Sequence, residues 1–163
     1  GQAERGHGRK ILVLGDVAAS ATNRLLKLLE ASLPHNQSAM TYVIKPHPNC
    51  PVRTEDFPSL NLDIVTDQLG TILPDYDIAY ASNSTSAAVD AHLFGLPVVV
   101  MLDETELNFS PLRGQAGVLF ISTPSELAEA LRSAHQNTVD RPDSKDFFFL
   151  DPELPRWSHL FAN

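Results

Sequence analysis

The chain has 163 residues, of which 43% are hydrophobic, which is ordinary for a single soluble domain with its own core. Its formal net charge of −8 argues against non-specific nucleic-acid binding, because that binding needs a basic surface. The apolar runs are only as long as strands, so the sequence contains no candidate membrane span.

Short apolar runs alternate along the chain with segments that have helical periodicity. The predicted strands cover residues 10–15, 41–45, 60–66, 77–82, 97–102 and 118–122. The predicted helices cover residues 20–33, 67–75 (a short helix or turn), 84–95 and 124–135. For the helix over 84–95, we expect Ser84 or a neighbour as the N-cap and Gly95 as the C-cap. This alternation predicts an α/β fold, a Rossmann-like open parallel sheet of about six strands with helices on both faces.

The chain divides into three segments by composition. We expect residues 1–8 to be disordered or an artificial extension, and residues 9–136 to form the Rossmann-like domain. Residues 137–163 are rich in aromatics and proline, and an isolated tail of this kind would expose several large apolar side chains. We therefore predict that this last segment packs on the domain or on a domain outside this chain.

Polar residues follow three of the predicted strands. In the common strand order 3-2-1-4-5-6, the first, second and fourth strands are neighbours, and ligands bind at their carboxyl ends. The first strand leads to Gly15 and Asp16, the second to Lys45 and His47, and the fourth to residues 82–86. The sequence therefore predicts one crevice to which three polar loops contribute.

The segment "SNSTS" leads from the fourth strand into a helix. A helix start offers free backbone N–H groups and partial positive charge, which favour an anion such as a phosphate. Simple capping would need only one of these residues, so phosphate binding is the favoured interpretation. Its candidate ligands are Ser82, Asn83, Ser84, Thr85 and Ser86.

Asp90 follows Ser84 by just under two helical turns and would face roughly the same side. Its carboxylate is suited to accept hydrogen bonds from two ribose hydroxyls. An ordinary exposed carboxylate is an equally good interpretation on spacing alone.

In "KPHPNCP", a proline stands on each side of His47, and Lys45 precedes it by two residues. The imidazole can donate to a phosphate oxygen and the lysine can add positive charge. The other histidines have no metal-ligand spacing, so we expect no metal site. The "DYD" segment at 75–77 precedes the fourth strand and lies at the opposite edge, where we interpret it as a turn.

Three segments in this order resemble a known family: "KPHP" at 45–48, "SNSTS" at 82–86 and "D-A-x-x-x-G-x-P-V" at 90–98. Residues 9–136 resemble the C-terminal, donor-binding half of GT-B glycosyltransferases. They are most similar to bacterial sialyltransferases, polysialyltransferases and CDP-glycerol transferases, which take part in surface-carbohydrate biosynthesis.

The resemblance implies a nucleotide-sugar donor with CMP or CDP, no further cofactor and no metal. It implies that His47 steadies the leaving phosphate, that the region Ser84–Ser86 holds the same phosphate, and that Asp90 meets the ribose. Those families carry an acidic general base in the N-terminal half, and the sialyltransferase motif for it is not found here. We therefore expect a donor-binding half whose partner half is missing, with little transfer activity alone.

The expected acceptor is a polysaccharide or glycolipid, and the expected location is the cytoplasm, peripheral at the inner membrane through the full-length protein. The lone cysteine, Cys50, is typical of such a reducing compartment. Three alternatives stay open. The donor could be a UDP- or GDP-sugar, the enzyme could be a CDP-polyol phosphotransferase, or the domain could be a non-catalytic assembly module in which "SNSTS" only caps a helix.

Overall fold

A six-stranded, wholly parallel sheet forms the centre of the molecule in the computed structural model, which describes residues 8–105 and 107–134. The strand order is β3-β2-β1-β4-β5-β6, so the predicted Rossmann-like architecture is confirmed. The strands are β1 (Arg9–Leu14), β2 (Met40–Lys45), β3 (Asp63–Ile64), β4 (Ile78–Ser82), β5 (Val98–Met101) and β6 (Val118–Ile121). The predictions for residues 1–7 and 135–163, including the last residue of the helix predicted over 124–135, lie outside the described residues.

Helices cover both faces of this sheet. They are α1 (Ala19–Ser32), α2 (Leu69–Ile72), α3 (Ala87–Phe94) and α4 (Pro124–Ser133). Residues 11–14 of β1 show why the central strands contain apolar runs: Ile11 and Val13 pack in the cluster that contains α1 and α4, while Leu12 and Leu14 pack in the cluster of α2 and α3. A strand with helices on both sides buries every side chain, so it is a continuous apolar run.

The third strand is shorter than the predicted range of 60–66. Asn61 has a φ of 44°, in the left-handed region, and it follows a 3₁₀ turn over Pro58–Leu60. An extended strand cannot pass through such a residue, so pairing with β2 begins only at Asp63. Leu60 and Leu62 are nevertheless buried in the core, which accounts for the apolar spacing seen in the sequence.

The start of α3 also differs from the prediction. The helix begins at Ala87 with Ser86 as its N-cap, and the cap makes no side-chain hydrogen bond. Its C-cap is Gly95, as predicted, with a φ of 102° that favours glycine. The residues of "SNSTS" thus form a loop before the helix rather than its first turn.

By contrast, α4 has a complete capping box. Thr123 accepts from the backbone N–H of Glu126, and the Glu126 carboxylate accepts from the backbone N–H of Thr123.

Candidate functional site

The loops after β1 and β2 approach each other closely at the carboxyl edge of the sheet. The backbone N–H of Gly15, the first residue after β1, donates to the carbonyl oxygen of Lys45, the last residue of β2, at 2.9 Å. A β-carbon at Gly15 would lie 3.1 Å from the backbone nitrogen of His47 and 3.1 Å from the α-carbon of Pro46. Glycine therefore fits here with the least crowding, and it lets the His47 loop lie against the end of β1.

His47 is held by its own turn. Its carbonyl oxygen accepts from the backbone N–H of Cys50 at 2.9 Å, and its Nδ1 accepts from the backbone N–H of Asn49 at 3.2 Å. Because Nδ1 is the acceptor, the proton of the neutral ring is on Nε2, which is the nitrogen available to donate to a ligand. The hydrogen bond at Nδ1 holds the imidazole in one direction at this edge of the sheet.

Asp16 lies at the switch point between β1 and β4 and is only 3% exposed. Its carboxylate accepts from the Ser82 hydroxyl at 2.5 Å, from the Ser84 hydroxyl at 2.6 Å and from the backbone N–H of Ala18 at 2.9 Å. Burial alone would raise the pKa of Asp16. The three hydrogen bonds and the charge interaction with His47 outweigh burial and hold the pKa below its ordinary value. Asp16 is therefore a buried carboxylate that stays ionised.

The side chain of Lys45 turns away from this group. Its ammonium donates to the carbonyl oxygen of Asp67 at 2.5 Å and lies 3.5 Å from that of Thr66, so it joins β2 to the segment after β3. The structure brings Gly15, Asp16 and Ser84 together, but it does not bring the Lys45 ammonium into hydrogen-bonding distance of them.

A cavity of about 410 Å³ opens beside the loop between β4 and α3. Polar groups and a short apolar wall line it: Asn83, Ser84, Thr85, Ser86, Val89, Asp90, Phe109 and Pro111. The four-residue segment 83–86 and Asp90 were predicted as site residues, and they share this cavity. Asp90 is exposed, and it also lines a second cavity between α2 and α3.

Sequence reasoning missed the wall formed by Phe109 and Pro111. The amide of Asn83 donates to the carbonyl oxygen of Leu107 at 3.2 Å, which ties the long segment after β5 to the loop after β4. Phe109 is 77% exposed although it lines the cavity. The signal was available, because a connection as long as 103–117 follows a strand at the same edge of the sheet.

Within 8–105 and 107–134, no three side chains of the metal-ligating types lie together. In the same ranges, no helix is both long and apolar enough to cross a membrane.

Solved glycosyltransferase structures have the same fold. The match to KpsC of Thermosulfurimonas dismutans, a β-Kdo 2,7 transferase, has a TM-score of 0.53 and 21% identity, and covers 74% of this chain and 41% of that one. SnogD of Streptomyces nogalater matches with a TM-score of 0.54 and 18% identity, over 84% of this chain and 41% of that one. The catalytic domain of the Helicobacter pylori cholesterol-α-glucosyltransferase matches with a TM-score of 0.51 and 14% identity, over 85% of this chain and 94% of that one.

These neighbours confirm the expected GT-B-like fold, and at such identities the likeness is one of fold alone. The chain spans about two-fifths of the length of the KpsC and SnogD chains. No protein-family model and no curated protein matches it.

Proposed function

We propose that this chain is the donor-nucleotide-binding domain of a bacterial glycosyltransferase, and that its donor is a CMP-sugar used in surface-polysaccharide biosynthesis. One observation carries the proposal. The loops after β1, β2 and β4 meet at the switch point of the sheet, next to a cavity lined by segment 83–86 and Asp90. In open α/β sheets this is the place where nucleotides bind.

The cavity has the right groups in the right order for a nucleotide. The N-terminal end of α3 offers backbone N–H groups and partial positive charge to a phosphate. Asp90 lies one turn further along, where its exposed carboxylate can accept from the two ribose hydroxyls. A ligand that spans phosphate and ribose therefore fits between Ser86 and Asp90.

In the proposed reaction, negative charge grows on the donor phosphate as the glycosyl bond breaks. The proton on Nε2 of His47 and the start of α3 would stabilise that charge without a metal ion. The general base and most of the acceptor site would belong to a second, N-terminal half; this proposal is compatible with the KpsC and SnogD chains, of which this chain covers 41% each. A polysaccharide or glycolipid acceptor and a position on the inner face of the membrane are parts of the same proposal.

Nucleotide titration tests this function. We expect CMP and CDP to shift the backbone amide signals of His47 and residues 82–90 in ¹⁵N-labelled protein, at lower concentrations than UDP or GDP. The double variant Thr85→Ala/Ser86→Ala should weaken CMP binding. Thr123→Ala removes a hydroxyl at another strand-to-helix junction, outside the cavity, and should leave CMP affinity unchanged.

Other results of the titration would assign a different function to the domain. Stronger shifts with UDP or GDP would replace the cytidine donor with another nucleotide. Transfer of a phosphopolyol from a CDP donor would assign the phosphotransferase activity instead. If no nucleotide shifts any signal, even with an N-terminal half present, the domain is not a donor site and the assembly-module alternative stands.

A further inference from the structure

Two serine hydroxyls converge on a single oxygen atom of Asp16. Oδ2 accepts from Ser82 at 2.5 Å and from Ser84 at 2.6 Å, while Oδ1 accepts from the backbone N–H of Ala18 at 2.9 Å. An ionised carboxylate can only accept, so the direction of these bonds is fixed. The protons of both serines therefore point toward Asp16.

This direction decides what Ser84 can offer to a ligand. A hydroxyl has one proton, and that of Ser84 is already used, so lone pairs face the cavity. Lone pairs attract a ligand O–H group and repel a phosphate oxygen. The Thr85 hydroxyl differs, because its oxygen accepts from the backbone N–H of Ala87 at 3.3 Å and its proton is left for a ligand.

Asp16 is itself held in place by α1. Its backbone N–H donates to the Thr22 hydroxyl oxygen at 2.9 Å, and that hydroxyl lies 3.3 Å from the Asp16 carbonyl oxygen, to which it donates. Thr22 is 3% exposed, so this second layer is also buried. A chain of hydrogen bonds, buried from Thr22 to Ser82 and partly buried at Ser84, thus runs from α1 through Asp16 to the loop before α3, which is how rigid sites are supported.

We propose that Asp16 is a positioning residue that sets the β4–α3 loop through Ser82 and Ser84 and does not itself touch the ligand. It directs the hydroxyl protons of Ser82 and Ser84 toward its own carboxylate. The phosphate is then bound by Thr85, Ser86 and the backbone N–H groups at the start of α3. This inference rests on the proposed function and refines the earlier expectation that Asp16 and Ser84 bind the ligand directly.

A double-mutant cycle tests whether Asp16 acts through the serines. We expect Asp16→Ala to weaken CMP binding about tenfold, the size of effect that follows the loss of a charged hydrogen-bond network. In a Ser82→Ala/Ser84→Ala background the same change should weaken binding less than about twofold, because its partners are already gone. Additive losses would show that Asp16 contacts the ligand, and would overturn the proposal.

Two controls separate positioning from stability. Asp16→Asn keeps the shape of the side chain but has only one acceptor oxygen, so it can accept from the serines or from Ala18 but not from both. This variant is used in place of Asp16→Ala if that variant does not fold. We expect Thr123→Ala to be destabilising outside the cavity, because it removes the capping hydroxyl of α4. If Asp16→Asn changes CMP affinity no more than Thr123→Ala does, Asp16 is only structural and the proposal fails.

Hydrogen exchange gives a readout that needs no ligand. Asp16→Asn should accelerate amide exchange in residues 82–86 in the native background, with little further acceleration in the Ser82→Ala/Ser84→Ala background. Wild-type protein that binds no nucleotide would contradict the proposed function, and the exchange cycle would still decide whether Asp16 positions the loop. Unchanged exchange in Asp16→Asn would overturn the inference, whether or not nucleotides bind.

Discussion

A β-carbon at Gly15 would lie 3.1 Å from the backbone nitrogen of His47, closer than side chains normally approach backbone. Gly15→Ala must therefore push apart the ends of β1 and β2, whose contact includes the 2.9 Å hydrogen bond from Gly15 to Lys45. We expect a loss of about 1–3 kcal/mol in the free energy of unfolding, the usual effect of overpacking. Urea denaturation measures it.

Gly70→Ala is the matched control. A β-carbon at Gly70 would have no heavy atom within 4 Å, and Gly70 lies inside α2. Alanine there should be neutral or stabilising by up to about 1 kcal/mol, from helix propensity. Equal losses in the free energy of unfolding of the two variants would show that the close contact at Gly15 does not affect stability.

His47→Ala should separate binding from stability. The variant loses the 3.2 Å hydrogen bond from the Asn49 backbone and the weak charge interaction with Asp16, so the free energy of unfolding should fall by only about 1 kcal/mol. Removal of a donor to a charged phosphate should weaken CMP binding about tenfold. Calorimetry measures the CMP affinity, and thermal melting measures the stability. A large loss of stability with unchanged affinity would make His47 structural.

Asp90→Ala should affect only ligands that carry ribose hydroxyls. Asp90 is exposed, so stability should stay within about 0.5 kcal/mol of wild type. CMP affinity should fall about tenfold, and the affinity of 2′,3′-dideoxy-CMP should not change, because the proposed hydrogen bonds go to the missing hydroxyls. Equal losses for both nucleotides would exclude Asp90 as the ribose ligand.

Tyr80→Phe should change how stability depends on alkaline pH. Burial raises the pKa of Tyr80, whose hydroxyl donates to the carbonyl oxygen of Leu25 at 3.2 Å. The unfolded phenol ionises near pH 10 and burial raises the pKa of the folded one, so this contribution to stability is complete below pH 10 and is lost as the pH rises from there toward the folded pKa. The variant should be about 0.5–1.5 kcal/mol less stable at neutral pH. Above pH 10, the free energy of unfolding of Tyr80→Phe should fall less steeply with pH than that of wild type. Urea unfolding at several pH values measures both, and parallel dependences on pH would contradict this prediction.

The sheet and its switch point could be predicted because strands buried on both faces, such as β1, leave a continuous apolar signal. The length of β3 could not be predicted, because a single sequence gives no clear sign of the left-handed backbone at Asn61. The polar cluster was also predicted, because strand order alone brings Asp16 and segment 82–86 to one edge. The direction of its hydrogen bonds depends on side-chain geometry, as does the turn of Lys45 toward Asp67.

The hydrogen bonds from Ser82 and Ser84 to Asp16 join residues 66 and 68 positions apart in the chain. Such distant contacts form late in folding, because much loop entropy is lost before they are made. A nascent chain that extends only through β3 contains Asp16 and His47 but neither serine. Until β4 pairs with β1, one edge of β1 stays open to strands of other chains, so the step that brings both serines to Asp16 also closes an edge that could pair with another chain.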